Sequence, residues 1–214
     1  MAREAEATRA RRLVSRLRFA HYPLRKNLSD FEFDYQPSID RKQVAELSTL
    51  RFVEERRNVL LLGPPGVGKT HLGIALGIAA TEAGYRTYFT TASDLVAGLQ
   101  SAHLEGNTQS KLRTYTGPSL LMIDELGYLP MDQTSAHWIF QVVSRRYERG
   151  SIVLTSNRGF SDWGAVFADQ VVAAAILDRL LHHATVINIK GRSYRMRRHQ
   201  DQLEKENEKE APLL

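Results

Sequence analysis

The stretch "NVLLLGPPGVGKTHLGIALG", residues 58–77, decides the fold. It begins with an apolar run at 58–63 that predicts a short strand, passes through a glycine-rich turn, and continues as a helical pattern over 69–83. The strand is apolar throughout instead of alternating, which is typical of a parallel sheet that is covered on both faces. The stretch therefore predicts one strand–turn–helix unit of an α/β protein.

The turn of this unit has the spacing of a phosphate-binding loop. Gly63, Gly68, Lys69 and Thr70 fit the pattern G-x-x-x-x-G-K-[ST]. Glycines let the backbone turn so that successive N–H groups converge on phosphate oxygens, and the helix N-terminus adds the positive end of its dipole. We expect Lys69 to contact the terminal phosphates of a bound nucleotide and the Thr70 hydroxyl to bind Mg²⁺. The predicted nucleotide-binding segment, called the phosphate loop below, consists of Gly63, Pro64, Pro65, Gly66, Val67, Gly68, Lys69, Thr70 and His71.

A second apolar run, "LLMIDELGYLP" at 120–130, ends in two adjacent acids. A buried carboxylate is costly unless something compensates its charge. We therefore expect Asp124 to join Thr70 in the magnesium shell, and Glu125 to project toward the γ-phosphate and polarise an attacking water. The second acid favours hydrolysis, because a small-molecule kinase would use the same loop without needing it.

A third predicted strand, "SIVLTS" at 151–156, is followed by Asn157. If this strand lies between the strand of the phosphate loop and the strand of the two acids, Asn157 can hydrogen-bond both the attacking water and the γ-phosphate. The alternative is that Asn157 is an ordinary turn or cap residue before "RGFSDW".

The remaining chain repeats the alternation of strands and helices. Further strands are predicted over 86–90, 119–124 and 185–190, and further helices over 43–57, 92–104, 107–115, 133–149 and 170–183. Together these elements predict the three-layer α/β/α fold of P-loop NTPases, with a five-stranded parallel sheet and its ligand at the carboxyl ends of the strands.

The two ends of the chain differ from this pattern. A basic helix over 2–19 and an irregular connector over 21–40 form a short helical N-terminal extension, which we assign to residues 1–40. The predicted nucleotide-binding α/β domain then covers 41–198, and 199–214 is predicted to be a charged, disordered tail.

Composition narrows the class of protein. The chain has 214 residues and no cysteine, which excludes a disulfide scaffold and a thiolate metal site and is compatible with a reducing cytosol. No apolar stretch approaches the roughly 20 residues of a membrane span. We expect a cytoplasmic protein with no membrane partner.

The net charge of +5 is unevenly distributed. Residues 1–26 hold eight Lys or Arg and two Glu, and residues 190–198 hold five Lys or Arg and no acid. Such basic segments favour a polyanionic partner through counterion release, although solvated helix faces would have the same composition.

Four stretches together resemble the IstB-like ATPases, which are AAA+ transposition helper proteins of bacterial insertion sequences and relatives of the DnaC-type helicase loaders. They are "NVLLLGPPGVGKTHLGIALG", "LLMIDELGYLP", "SIVLTSN" and "LDRLLHHATVINIKGRSYR". The resemblance covers about residues 25–198 and implies the AAA+ type of sheet. It also implies that Gly63–Thr70 is Walker A, that Asp124 and Glu125 are Walker B, and that Asn157 is sensor 1.

Two arginines receive roles from the resemblance. Arg179 in "LDRLL" looks like the arginine that reaches the γ-phosphate of a neighbouring subunit, and Arg195 in "SYR" is similar to the sensor 2 arginine of the subunit's own site. A planar guanidinium suits both tasks because it can bind two phosphate oxygens. The alternatives are an intrahelical pair of Arg179 with Asp178, and a basic DNA-facing patch for Arg195, with Arg192 competing for the sensor role.

The resemblance implies an ATPase that assembles as a homo-oligomer on duplex DNA, which it grips through residues 1–26 and 190–198, and that assists a transposase. A helicase loader, an ATP-sensing module with little turnover and a soluble kinase remain alternatives. IstB-like proteins usually carry a longer helical N-terminal domain, whereas only "EATRARRLVSRLR" stands in its place here. A truncated copy, a mis-assigned start and a natural short form are all open.

Overall fold

A computed structural model describes residues 2–197 of the chain, and the tail predicted for 199–214 lies outside them. The strands are β1 (Asn58–Leu62), β2 (Thr87–Thr91), β3 (Leu120–Leu126), β4 (Ser151–Ser156) and β5 (Ala184–Asn188). The helices are α1 (Ala2–Ala20), α2 (Arg41–Ser48), α3 (Arg51–Glu54), α4 (Lys69–Glu82), α5 (Ala92–Leu104), α6 (Thr108–Thr116), α7 (Gln133–Arg146), α8 (Trp163–Val166) and α9 (Gln170–Leu181). Short 3₁₀ turns lie at Leu28–Asp30, Phe33–Tyr35 and Phe160–Asp162.

The five strands form one sheet in the order β2-β3-β4-β1-β5, and every neighbouring pair is parallel. The predicted α/β fold with a five-stranded parallel sheet is confirmed. β4 lies between β1 and β3, as required for Asn157 to stand between the phosphate loop and the two acids. The carboxyl ends of these three strands therefore meet at one edge of the sheet.

Side chains of the strands alternate between two apolar cores. Leu60, Ile123 and Leu154 belong to a core that is covered by α5, α6, α7 and α9. Leu61 and Met122 belong to the opposite core, which is covered by α2, α3 and α4. Each strand is apolar throughout because both of its faces are buried, which is the physical reason for the continuous hydrophobic runs of the sequence.

α1 lies against α4 and β2 and is mostly exposed. Arg16 Nη1 donates to the carbonyl oxygen of Gly84 over 2.9 Å, and the Phe19 ring meets the Tyr88 ring edge to face. The connector then runs over α4, where the Tyr22 hydroxyl donates to Thr87 Oγ1 over 2.8 Å. Among residues 2–197, no helix is both long enough and apolar enough to cross a membrane.

The single helix predicted over 43–57 is wrong, because the chain breaks into α2 and α3 at Leu50. Leu50 has φ +63° and is buried, so core packing selects a left-handed residue at this point. The hydroxyls of Ser48 and Thr49 donate to backbone carbonyls of the preceding turn, and such bonds compete with helix continuation. The apolar side chains of the two helices and the break between them are all buried (Val44, Leu47, Leu50, Phe52, Val53).

The helix predicted over 133–149 ends at Arg146, whose side chain is buried instead of complementing the helix dipole at the surface. Its guanidinium donates to the carbonyl oxygens of Tyr115, Pro118, Ser119 and Ser151 over 2.7–3.2 Å. Burial lowers the pKa of Arg146 to about 10. One cation therefore joins the end of α6 to the starts of β3 and β4.

Candidate nucleotide-binding site

The phosphate loop joins β1 to α4 and is shaped by glycines with positive φ. Gly66 and Gly68 have φ +81° and +98°. A Cβ on Gly66 would lie 2.0 Å from Ser193 Oγ, and a Cβ on Gly68 would lie 2.7 Å from the Phe31 ring, so only glycine fits both positions. The N-cap residue of α4 is Gly68, which has no side chain that could cap the helix. The first N–H groups of this helix are thus available to a ligand, which fits an anion such as a phosphate group.

The Lys69 side chain folds back against the first residues of the phosphate loop. Its Nζ donates to the carbonyl oxygens of Gly63 and Pro64 over 2.7 and 2.8 Å. Burial lowers the pKa of the Lys69 ammonium, and the nearby Arg195 lowers it further, whereas the Asp124 and Glu125 carboxylates raise it. A partly desolvated ammonium that faces two carboxylates is well suited to bind the oxygens of a polyphosphate.

Asp124 is nearly inaccessible to solvent, with 4% of its surface exposed. Its Oδ1 accepts hydrogen bonds from Thr70 Oγ1 over 3.0 Å and from Thr155 Oγ1. Thr70 in the first turn of α4 and Asp124 near the end of β3 are therefore in direct contact. A hydroxyl and a carboxylate are the hard oxygen ligands that Mg²⁺ prefers, so these residues fit that ion.

Glu125 follows in a left-handed conformation, with φ +61°. The pairing of β3 with β4 shifts here: Ile123 lies opposite Leu154 and Leu126 lies opposite Ser156. Asp124 and Glu125 together thus face one residue of β4, which is the arrangement of a β-bulge. A left-handed non-glycine residue costs about 1–2 kcal/mol. The bulge places the exposed Glu125 side chain at the wall of the same cavity as the phosphate loop.

Asn157 directly follows β4 and lines this cavity. Its Oδ1 is buried and has no hydrogen-bond partner within the described residues. The turn after β4 is held instead by Ser156, whose Oγ accepts from the N–H of Arg158 over 3.1 Å. Since a buried polar atom without a partner is costly, this geometry favours a ligand contact for Asn157 over the alternative role of a turn cap.

The cavity has a volume of about 580 Å³, which is in the range of small-ligand sites. One wall is the phosphate loop with the ends of β3 and β4. The opposite wall is the connector, which contributes Leu24, Phe31 and Glu32. His71 belongs to this contact, since its Nε2 lies 3.0 Å from the carbonyl oxygen of Asn27 and its ring meets the Phe31 ring. The sequence did not indicate that the connector encloses the site, because this contact joins segments about 40 residues apart.

The third wall comes from the segment after β5. The N–H of Tyr194 donates to the carbonyl oxygen of Gly66 over 2.9 Å, and residues 194–197 are helical. Arg195 lines the cavity. Arg192 does not, and its carbonyl oxygen accepts from Gln36 Nε2 over 3.0 Å. Of the two arginines that competed for one role, the structure brings Arg195 to the phosphate loop.

Arg179 is not among the residues that line the cavity. Its Nη1 donates to the carbonyl oxygen of Ala175 over 2.8 Å, and its guanidinium lies 5.0 Å from the centre of the Phe140 ring. Within residues 2–197 it forms no ion pair with Asp178. Arg179 thus lies on the surface formed by α7 and α9, apart from the site of its own chain.

A second group of possible metal ligands lies elsewhere on the surface. The helix predicted over 170–183 ends at Leu181, so His182 and His183 do not diverge as helical neighbours would, and together with Glu148 they offer ligand atoms within 4.8 Å of one another. The Tyr147 hydroxyl already lies 2.7 Å from His182 Nδ1, and Arg56 donates to the Glu148 carbonyl. The positive charge of the nearby Arg56 guanidinium opposes the binding of a cation to these three residues.

Comparisons with known proteins identify relatives that are named as ATP-binding proteins, in agreement with the phosphate loop of this chain. The family described as IstB-like ATP binding protein matches residues 1–202. "Insertion sequence IS5376 putative ATP-binding protein" of Geobacillus stearothermophilus is 48% identical over 199 residues, which are 93% of this chain and 79% of that protein. "Insertion sequence IS21 putative ATP-binding protein" of Pseudomonas aeruginosa is 52% identical over 187 residues, covering 87% of this chain and 71% of that protein.

Among solved structures, the crystal structure of the DnaC helicase loader superposes with a TM-score of 0.60 at 24% identity. The superposition covers 77% of this chain and 96% of the loader chain. At this level of identity the likeness concerns the fold alone. The fold, the phosphate loop and the family match over residues 1–202 lead to one conclusion. This chain belongs to the IstB-like ATP-binding protein family.

Proposed function

We propose that this protein is a Mg²⁺-dependent ATPase that hydrolyses ATP to ADP and phosphate. The observation that carries the proposal is the contact of Thr70 with Asp124 over 3.0 Å, with Glu125 and Asn157 at the wall of the same cavity. A binding-only module would need the phosphate loop but not two further polar groups at the position of an attacking water.

Each residue of the site has a chemical role in this proposal. The N–H groups at the start of α4 and the Lys69 ammonium bind the phosphate oxygens. Thr70 and Asp124 would hold Mg²⁺, which would neutralise charge that develops on the phosphates. Glu125 accepts a proton from the attacking water, Asn157 orients that water, and Arg195 binds the γ-phosphate of its own subunit.

We further propose that subunits assemble as homo-oligomers on duplex DNA and assist a transposase, with Arg179 completing the site of a neighbouring subunit. Three observations support this proposal. Arg179 lies apart from the site of its own chain, α1 presents exposed arginines such as Arg9, Arg11 and Arg12, and the relatives are named for insertion sequences. Polyanion binding through such arginines would weaken as salt rises.

The second candidate function is a helicase loader that acts on single-stranded DNA. It is favoured by the structural likeness to the DnaC helicase loader, although that likeness concerns only the fold. The two candidates share the chemistry of the site and differ in the nucleic acid and in the protein partner.

The test measures ATP turnover and assembly together, with duplex DNA, single-stranded DNA and no DNA at one fixed salt concentration. Duplex stimulation that Lys69→Ala abolishes, together with loss of ATP binding in that variant, supports the proposal. The exposed Lys42→Ala serves as the matched control. ATP binding without turnover under all three conditions would identify a sensing module, and stimulation by single strands alone would favour the loader.

A further inference from the structure

The hydroxyl of Thr155 touches both acids of the proposed ATPase site. Thr155 Oγ1 accepts a hydrogen bond from the backbone N–H of Glu125 over 3.0 Å and donates one to Asp124 Oδ1. The residue is 1% exposed, so water does not replace these bonds. A hydroxyl has one proton to donate, and here that proton is committed to the carboxylate while a lone pair receives the amide.

The position of Thr155 follows from the β-bulge. Asp124 and Glu125 stand opposite this single residue of β4, between the pairs Ile123–Leu154 and Leu126–Ser156. One side chain is thus shared by two consecutive residues of the neighbouring strand. Only a residue that both donates and accepts can serve a carboxylate and an amide at the same time.

These two bonds act on different properties of the site. The bond from the Glu125 N–H stabilises a residue with φ +61°, and this conformation decides where the Glu125 carboxylate projects. The bond to Asp124 Oδ1 is made at the same oxygen that accepts from Thr70. It therefore orients the carboxylate that would face the metal, in the way that outer hydrogen bonds orient metal ligands.

We propose that Thr155 is a positioning residue that couples the two acids, fixing the direction of Glu125 and the orientation of Asp124. This inference rests on the proposed ATPase function. It assigns to one hydroxyl the task of keeping a water-activating carboxylate and a magnesium-facing carboxylate in register with each other.

The test compares Thr155→Val, which keeps the shape of the side chain, with Thr155→Ser, which keeps the hydroxyl. For Thr155→Val we expect kcat to fall about tenfold or more, with KM nearly unchanged, and the Mg²⁺ concentration for half-maximal ATP binding to rise severalfold. Thr155→Ser should stay within about threefold of the wild type in both measurements. The control is Thr81→Val, which removes a buried hydroxyl that donates to the carbonyl oxygen of Gly77 near the C-terminal end of α4, at the opposite end of this helix from the phosphate loop.

A measurement on the free protein separates this inference from the proposed function. Amide hydrogen exchange over 123–127 should be faster by about tenfold in Thr155→Val than in the wild type, and unchanged in Thr81→Val. If the wild type shows no turnover, the ATPase proposal fails, while the exchange rates and the Mg²⁺ requirement still decide the role of Thr155.

Two outcomes would overturn the inference. One is wild-type kcat, Mg²⁺ requirement and exchange in Thr155→Val. The other is a serine variant as impaired as the valine variant, which would assign the effect to packing of the methyl group. Should Thr155→Val fail to fold, the near-isosteric pair Thr155→Ser and Thr155→Cys isolates the hydroxyl, because a thiol is a weak donor and acceptor. Equal behaviour of that pair would also refute the inference.

Discussion

The backbone N–H of Tyr194 donates to the carbonyl oxygen of Gly66 over 2.9 Å, which joins the segment after β5 to the middle of the phosphate loop. The Tyr194 hydroxyl also bonds the Glu32 carboxylate of the connector. Arg195 directly follows Tyr194 in the chain and lines the wall of the cavity. Within residues 2–197 no acid forms an ion pair with Arg195, so the contacts of its neighbour Tyr194 set its position.

The two competing arginines should separate in their effect on turnover. Arg195→Ala is expected to lower kcat about 100-fold, because it removes a cation beside the proposed γ-phosphate. Arg192→Ala changes a side chain outside the cavity and should leave kcat within about twofold. Steady-state ATPase rates and ATP-binding affinities, measured for both variants and for the wild type, test this prediction. Equal loss in the two would show that they act through a shared basic surface.

Glu125 stores backbone strain that glycine would release. Glu125→Gly should raise the free energy of unfolding by roughly 1 kcal/mol while turnover is lost, since glycine adopts positive φ without steric cost. Urea denaturation measures the first effect and ATPase rates the second. The matched substitution Glu46→Gly within helix α2 should instead destabilise by about 1 kcal/mol.

Glu125→Gln should keep ATP and DNA bound but stop turnover, so that the assembled state persists. The amide has the shape of the carboxylate and cannot accept the proton of water. Size-exclusion chromatography with ATP and duplex DNA reports the trapped assembly. Normal turnover in this variant would refute the role of Glu125 as the base.

Arg179 can be tested by mixing two inactive proteins. Pure Arg179→Ala is expected to lose about 100-fold or more in kcat, because no subunit supplies the arginine of the neighbouring site. In a mixture with Glu125→Gln, some sites combine the intact Glu125 of one chain with the intact Arg179 of the next. The ATPase rate of the mixture should exceed that of either pure protein. A mixture no faster than its components would contradict an action between subunits.

Arg146 should be essential for stability and not for chemistry. Arg146→Ala removes the guanidinium that donates to four carbonyl oxygens, of which only Ser119 O is shown to keep another donor, the N–H of Ser151, and we expect a loss of about 3 kcal/mol or more in the free energy of unfolding. The exposed neighbour Arg145→Ala should change stability by no more than about 0.5 kcal/mol. Denaturant titration of both variants decides the matter.

The local signals in the sequence predicted much of the fold and the core of the site. The glycine spacing around Lys69 and the apolar run before Asp124 report on neighbours in the chain. The structure places Thr70 against Asp124, and it places β4 between β1 and β3, which was the condition for Asn157 to reach the site. The features that the sequence did not predict depend on contacts between residues that are far apart in the chain. The bulge at Glu125 carries no glycine or asparagine signal, because its support comes from Thr155 in another strand.

Buried Arg146 was missed for a related reason. In the sequence it belongs to a basic cluster at a helix end, where the dipole favours cations. Its true partners are carbonyl oxygens at the ends of three other elements, and their convergence is a property of the tertiary structure. The break at Leu50 is likewise selected by burial of that side chain and not by the helical pattern around it.

The three walls of the cavity have a consequence for synthesis on the ribosome. The connector is translated early, the phosphate loop next, and the segment that carries Tyr194 and Arg195 more than 120 residues later. A nascent chain therefore emerges with its phosphate loop exposed and with its third wall still inside the exit tunnel. Nucleotide affinity should arise late and abruptly during translation, once that last segment can close over Gly66.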